Sequence, residues 1–179
     1  MSAEQRREQL LDVTKRMVLD AGFHAVSIEA VAREAGITRP IVYGHFNDLS
    51  GLLEALVERE SLRALAQLET VLPRPDLFES LRAYLEAVQA DPDTWRLVLM
   101  PQEGAPRILH ERIARGREAI VARLAHGLPP GSGLPDPELT AHMLSAYADE
   151  AARLLLTEPE RFPPERILAL SRWLLRRLR

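Results

Sequence analysis

The feature that most constrains this chain is where its helix-breaking residues fall. Thirteen prolines and nine glycines stand mostly at the edges of segments whose apolar residues recur at three- and four-residue steps. Proline is tolerated in the first turn of a helix but not in its interior. A three-to-four spacing puts apolar side chains on one helical face. Together these rules predict a series of amphipathic helices of limited length. No segment alternates with period two and no Asn-Gly or Asp-Gly hairpin signal occurs, so the expected class is all-α.

Along the chain, Leu10, Val13, Met17 and Ala21 share one face of a first helix, closed by Gly22. Ser27 is an N-cap for a short second helix with Ile28, Val31, Ala32 and Ala35 inward, ended by Gly36. Thr38 can cap a third, again short, with Pro40 in its first turn. Asp48 caps a longer fourth helix carrying Leu52, Leu56, Leu62 and Leu65 towards Leu72, stopped by Pro73 and Pro75. Helices are then expected over 76–90, 94–100 and 107–125, with Ile108, Ile113, Ile120 and Leu124 as buried candidates in the last. The stretch 127–135, with three glycines and three prolines, reads as a loop. Asp136-Pro137 opens a helix to about Thr157, and Pro159, Pro163 and Pro164 separate it from a final helix through Leu178.

Composition excludes several classes. With 46% apolar residues in a chain of 179 and a formal net charge of -3, the chain has material for a buried core and no signature of disorder. There is no Cys, which removes disulfides, thiolate metal sites and cysteine nucleophiles. His24, His45, His110, His126 and His142 are scattered, with no H-E-x-x-H pattern, and no Walker A, G-x-G-x-x-G or G-x-S-x-G motif occurs. The expectation is therefore a non-enzyme with no cofactor, no metal site and no catalytic residues. No stretch approaches the ~18 apolar residues of a membrane span and residues 1–9 are polar, so a soluble cytoplasmic protein without membrane partners is expected. The 22 arginines against one lysine, Lys15, identify no function.

The informative stretch runs from Ser27 to Phe46. Two short helices joined by a tight glycine turn form a helix-turn-helix, whose second helix can lie in a DNA major groove. Ala32 and Ala35 are small enough for a close crossing, Gly36 supplies the turn, and Ile37 is an apolar plug. Val42 and Phe46, four apart, would anchor the second helix. Tyr43 and His45 carry donors able to reach phosphate oxygens. Arg39 can pair bidentately with guanine, and Pro40, Ile41 and Gly44 could touch thymine methyls or let the backbone approach closely. Arg39 is equally readable as a phosphate clamp. Acidic and basic residues nearly balance over residues 1–50, yet no carboxylate occurs from Ala35 to Asn47, as a surface facing phosphates requires.

The run Ser27-Ile28-Glu29-Ala30-Val31-Ala32-Arg33-Glu34-Ala35-Gly36-Ile37-Thr38, followed by Ile41-Val42-Tyr43-Gly44-His45-Phe46, resembles the DNA-binding domain of tetracycline-repressor (TetR) family regulators. Gly22-Phe23 upstream and the helix opening at Asp48 with Leu52 and Leu53 are similar too. The close match spans roughly residues 6–57. The resemblance implies a three-helix DNA-binding domain, 1–48, and a ligand-binding and dimerisation domain, 49–179. It implies DNA contacts from Ser27, Thr38, Arg39, Pro40, Ile41, Tyr43, Gly44 and His45. The family usually carries a phosphate-contacting Lys near the start of the fourth helix, where this chain has Leu49.

The resemblance further implies a homodimer built on the last two helices, for which Leu139, Met143, Ala146, Leu154, Leu168, Leu175 and Leu178 are candidates. It implies a small-molecule pocket, for which Phe78, Tyr84, Trp95, Met100, Met143 and Tyr147 are candidate lining residues; each is equally readable as packed core. The apolar character of that set implies a hydrophobic effector. The Arg-rich end, Arg172, Arg176, Arg177 and Arg179, reads as favourable charge on a helix C-terminus. The expected function is a dimeric repressor released from a palindromic operator by a small effector. The competing readings are an effector-independent activator and a helical interaction or scaffold protein, the latter leaving the Tyr43–Phe46 pattern without a role.

Overall fold

The computed structural model describes residues 1–71, 76–100, 104–128 and 136–177. Among these there are nine α-helices, one 3-10 turn and no strand. The helices are α1 (Ala3–Ala21), α2 (Ile28–Glu34), α3 (Arg39–His45), α4 (Leu49–Val71), α5 (Leu77–Ala90), α6 (Pro92–Leu99), α7 (Arg107–Gly127), α8 (Pro137–Thr157) and α9 (Pro164–Arg177). The all-α expectation holds. Leu72, Pro73, Pro75, Pro101, most of the loop 127–135, Leu178 and Arg179 lie outside the described residues.

The chain forms two compact units, Met1–Leu62 with Pro101–Arg112, and Arg63–Met100 with Ile113–Arg179. Helices α4 and α7 each contribute to both. The division at residue 48 drawn from the sequence concerns where the DNA-binding module ends, and α4 stays with the first unit through Leu62.

In the first unit, α1 starts with a reciprocal cap between Ser2 and Gln5. It ends at Gly22, whose φ of +82° disfavours any side chain. The buried face is Leu10, Leu11, Val13, Thr14 and Val18. Met17 is only half-buried and Ala21 exposed, so the inward face is rotated from the one expected. The Thr14 hydroxyl is accommodated at a fully buried position by donating to the Leu10 carbonyl at 2.7 Å. In α4, Leu52, Leu56 and Val57 are fully buried while Leu62 is 56% exposed, against expectation. Leu62 is the last α4 residue of the first unit, where one buried face ends. An ion network joins α1 to α4: the fully buried Glu60 accepts from Lys15 at 2.7 Å, and Arg59 bonds Glu60, Glu8 and Asp12 at 2.9 Å each. Burial alone would lower the Arg59 pKa, but the bond with Glu8 and the charges of Glu60 and Asp12 outweigh it and raise it.

In the second unit, α5 packs against α6, α8 and α9, and α6 against α8. Asp76 caps α5 through the Phe78 amide at 2.7 Å and Asp136 caps α8 through the Leu139 amide at 2.9 Å, with Pro137 in the first turn. Asp91 interrupts the helical run as expected, closing α5, and α6 begins two residues earlier than expected, with Pro92 as its first residue. The core includes Leu68, Leu81, Tyr84, Leu85, Val88, Trp95, Ala152, Leu155 and Ile167. In α7 the buried residues are Leu109 and Val121, whereas Ile108, Ile113, Ile120 and Leu124 are only half-buried. Because α7 serves two units, one continuous apolar stripe does not describe it.

Candidate nucleic-acid interface

The candidate interface is built by α2, the turn at Gly36 and α3. Ser27 has extended backbone, and its Oγ accepts the Ala30 amide at 3.1 Å, removing one of the four unpaired donors at the start of α2. At the other end Gly36 takes φ +66°. Its amide then reaches the Arg33 carbonyl at 3.2 Å and the Ile37 amide reaches the Ala32 carbonyl at 2.9 Å. This paired closure terminates a helix and reverses the chain. The reversal brings α3 against α2, over Val31 and Ala32, exposed 0% and 3%.

Thr38 precedes α3 in extended conformation but makes no side-chain cap bond, contrary to expectation. The reason is Pro40: it occupies the second helical position and has no N–H to offer a capping hydroxyl. The next amide, that of Ile41, is bonded to the Thr38 carbonyl at 3.0 Å. Within α3, Val42 is fully buried and Phe46 nearly so, as the four-residue spacing predicts. Thr38, Arg39, Pro40, Ile41, Tyr43 and Gly44 are all exposed, and His45 is half-buried. Ile41 at 42% and Tyr43 at 49% are large groups left uncovered. Six of the eight proposed DNA-contacting residues are thus exposed, while Ser27 and His45 are partly buried.

Two side chains that local sequence windows missed complete the site. Arg7 of α1 lies 4.6 Å from the Phe46 ring centroid, and its Nη1 donates to the His45 carbonyl at 3.4 Å. A cation there occupies the negative end of α3 and stacks on its anchoring ring. Glu29 of α2 pairs with Arg39, Oε1 to Nη1 at 3.1 Å. The acid-free window is therefore a property of the sequence from 35 to 47, and the folded surface includes a carboxylate. Glu29 stands in the first turn of α2 as Arg39 does in α3; only the crossing of the two helices makes them neighbours. At the start of α4, Asp48 Oδ1 accepts the Gly51 amide at 2.8 Å, and Leu49 is half-buried.

This geometry has a counterpart among known proteins. Residues 10–56 match the family model of bacterial regulatory proteins, tetR family. This segment is similar to the DNA-binding segment of tetR-family regulators. The matched segment runs from the buried half of α1 through α2 and α3 into α4, and the helix-turn-helix of this family binds DNA. The fold extends the likeness over more than nine-tenths of the chain. A TetR-like transcriptional regulator from Rhodococcus sp. RHA1 superposes with a TM-score of 0.75 at 24% identity, covering 92% of this chain and 90% of that one. SmeT, in a complex with triclosan, gives 0.71 at 23% identity over 93% and 90%. The regulator FadR from Bacillus subtilis, in complex with stearoyl-CoA, gives 0.67 at 17% identity over 96% of each chain.

The candidate pocket residues separate in the structure of the second unit. Tyr84 and Trp95 are buried and meet edge to face at 5.2 Å between centroids. Met100 and Tyr147 pack against the same core, part-buried. The Tyr147 hydroxyl is 2.8 Å from Ser171 Oγ, and Trp95 Nε1 donates to Gln67 Oε1 at 2.7 Å. Burial, then the nearby Asp149 carboxylate, raises the Tyr84 pKa despite Arg153 and Arg117 close by. Phe78 lies under the guanidinium of Arg172 at 4.6 Å, so that arginine is committed to a ring contact. Met143 does not join them: it is 65% exposed, on the same helical face as Leu139 and Ala146. Of the other dimer candidates, Leu154, Leu168 and Leu175 are half-buried. Leu170 and Trp173 of α9, each 53% exposed, were not foreseen.

Proposed function

We propose that this regulator is a homodimeric repressor that reads a palindromic operator with α3 and leaves it when a small, largely hydrophobic effector binds. The observation that carries the reading is the surface from Thr38 to Gly44, exposed on a helix whose underside is pinned by Val42 and Phe46. A reading helix needs that division between anchored and free faces. Arg39, Pro40, Ile41 and Gly44 meet base edges. Thr38, Tyr43 and His45 position the helix on phosphates, and Ser27 does so from the start of α2.

One such reader covers a single half-site, and two-fold partners place half-sites about 34–36 Å apart. Exposed Leu139, Met143 and Ala146 on α8 and Leu170 and Trp173 on α9 supply apolar area for the partner. The core around Tyr84, Trp95, Met100 and Tyr147 is where an effector inserts. The triclosan and stearoyl-CoA in the complexes of SmeT and FadR support a hydrophobic effector class. Release follows if the effector binds more tightly to a conformation whose two reading helices are wrongly spaced for the operator. The reading places this regulator on DNA in the cytoplasm and gives it no catalytic role; among the described residues no helix is long and apolar enough to cross a membrane.

The test is selection of bound duplexes from a random pool, followed by titration of wild type and Tyr43→Ala. The reading expects a two-fold symmetric site bound by two chains, and weaker binding of Tyr43→Ala to every duplex. Selection of no duplex at low salt refutes it.

A further inference from the structure

Among the described residues, Glu29 is the carboxylate that the fold brings onto the reading surface through an ion pair with its arginine. Its Oε1 lies 3.1 Å from Arg39 Nη1, with the glutamate side chain 48% exposed and that of Arg39 62%. A pair so exposed adds little to stability, and its consequence is orientation. A guanidinium is a rigid planar fork, so holding one nitrogen turns the whole plane. With Nη1 occupied by the carboxylate, the remaining donors, Nε and Nη2, form one edge. Two donors on one edge suit guanine O6 and N7. The base of the fork is steady as well, because Arg39 opens α3 and Pro40 behind it has its φ fixed. A second effect is electrostatic. If Arg39 turns away to a backbone phosphate, it leaves Glu29 unpaired against a polyanion, which is penalised.

We propose that Glu29 is a specificity-determining residue: it aims Arg39 at a guanine in each half-site and penalises arrangements in which Arg39 serves as a mere phosphate clamp. Discrimination then arises both from bidentate pairing of Arg39 with the right base and from the repulsion that persists on wrong ones. This inference rests on the reading of α3 as the DNA-contacting helix.

The experiment titrates the duplex selected by wild type, and duplexes altered at one base pair per half-site, with wild type, Glu29→Gln and Arg39→Ala, followed by fluorescence anisotropy at several salt concentrations. Wild type should lose about tenfold or more in affinity at one G·C pair, and Arg39→Ala should abolish that loss. Glu29→Gln, which keeps shape but removes the charge, should shrink the loss at that same pair at least threefold. It should also bind a scrambled duplex more tightly, with a log–log salt slope steeper by about 0.9 for the released arginine's phosphate contact. Unchanged thermal melting of Glu29→Gln confirms that folding is not the cause. The inference is overturned if Glu29→Gln keeps the full wild-type penalty at that pair, or loses affinity equally at all pairs. If wild type itself selects no duplex, the DNA-reading role of α3 falls first and this inference with it.

Discussion

Gly44 separates a role in folding from a role on DNA. It lies within α3 and is exposed, and a Cβ built there meets nothing within 4 Å. Its φ is not positive, so Gly44→Ala costs nothing in backbone strain or packing. Alanine in place of a helical glycine should instead stabilise the chain by about 0.5–1 kcal/mol, which raises a melting midpoint by roughly 1–4 °C in a protein of this size. On DNA the sign reverses. If α3 brings its backbone close to the groove at Gly44, the added methyl pushes the helix outward, and about tenfold in affinity, ~1.4 kcal/mol, should be lost. Gly36→Ala is the control of opposite character. Its Cβ also meets nothing within 4 Å, but φ is +66°, so it should destabilise by about 1–2 kcal/mol through strain alone. The assays are thermal melting by circular dichroism and anisotropy titration of the selected operator. A Gly44→Ala protein that melts higher and binds the operator as tightly as wild type refutes close approach of α3 at this position.

Three further outcomes follow from the structure. Lys15→Ala leaves the fully buried Glu60 with one cationic partner fewer and should destabilise by about 3 kcal/mol, read by urea denaturation; a loss below a few tenths would contradict that pairing. Tyr84 has a pKa raised from 10.0 by burial first, so the folded state holds its proton where the unfolded state releases it. Its stabilising contribution is complete below pH 10 and declines above it by about 1.4 kcal/mol per pH unit; Tyr84→Phe should flatten this alkaline decline relative to wild type, and equal slopes would contradict the burial. Leu49→Lys restores a cation at the first residue of α4 and should tighten operator binding while steepening the salt slope by about 0.9; unchanged affinity and slope would show that no phosphate lies there.

Most of the fold is readable residue by residue because its signals are local. Ser27, Asp76 and Asp136 cap the helices that follow them, and Pro137 stands in a first turn, because capping depends only on amides two or three residues away. Gly36 is legible for the same reason, as is the Val42–Phe46 anchor. Errors arise where distant elements decide. The expected faces of α4 and α7 are met only in part, Leu62 being exposed and Ile108, Ile113, Ile120 and Leu124 half-buried, in helices that each belong to two compact units. Thr38 makes no side-chain cap because Pro40 has no amide to offer and the Ile41 amide bonds the Thr38 carbonyl instead. At the interface, Glu29 and Arg7 reach α3 from other helices, so the acid-free stretch from Ala35 to Asn47 includes neither.

The central claim is that the exposed face of α3 recognises a DNA sequence. The most direct measurement compares wild-type affinity for its selected duplex with that for a scrambled duplex of equal length and composition, across a range of salt concentrations. The account predicts two chains per selected duplex and a preference of at least about a thousandfold near physiological salt, reduced at one G·C pair per half-site by Arg39→Ala. Affinities for the two duplexes within a few-fold of one another at every salt concentration would contradict it.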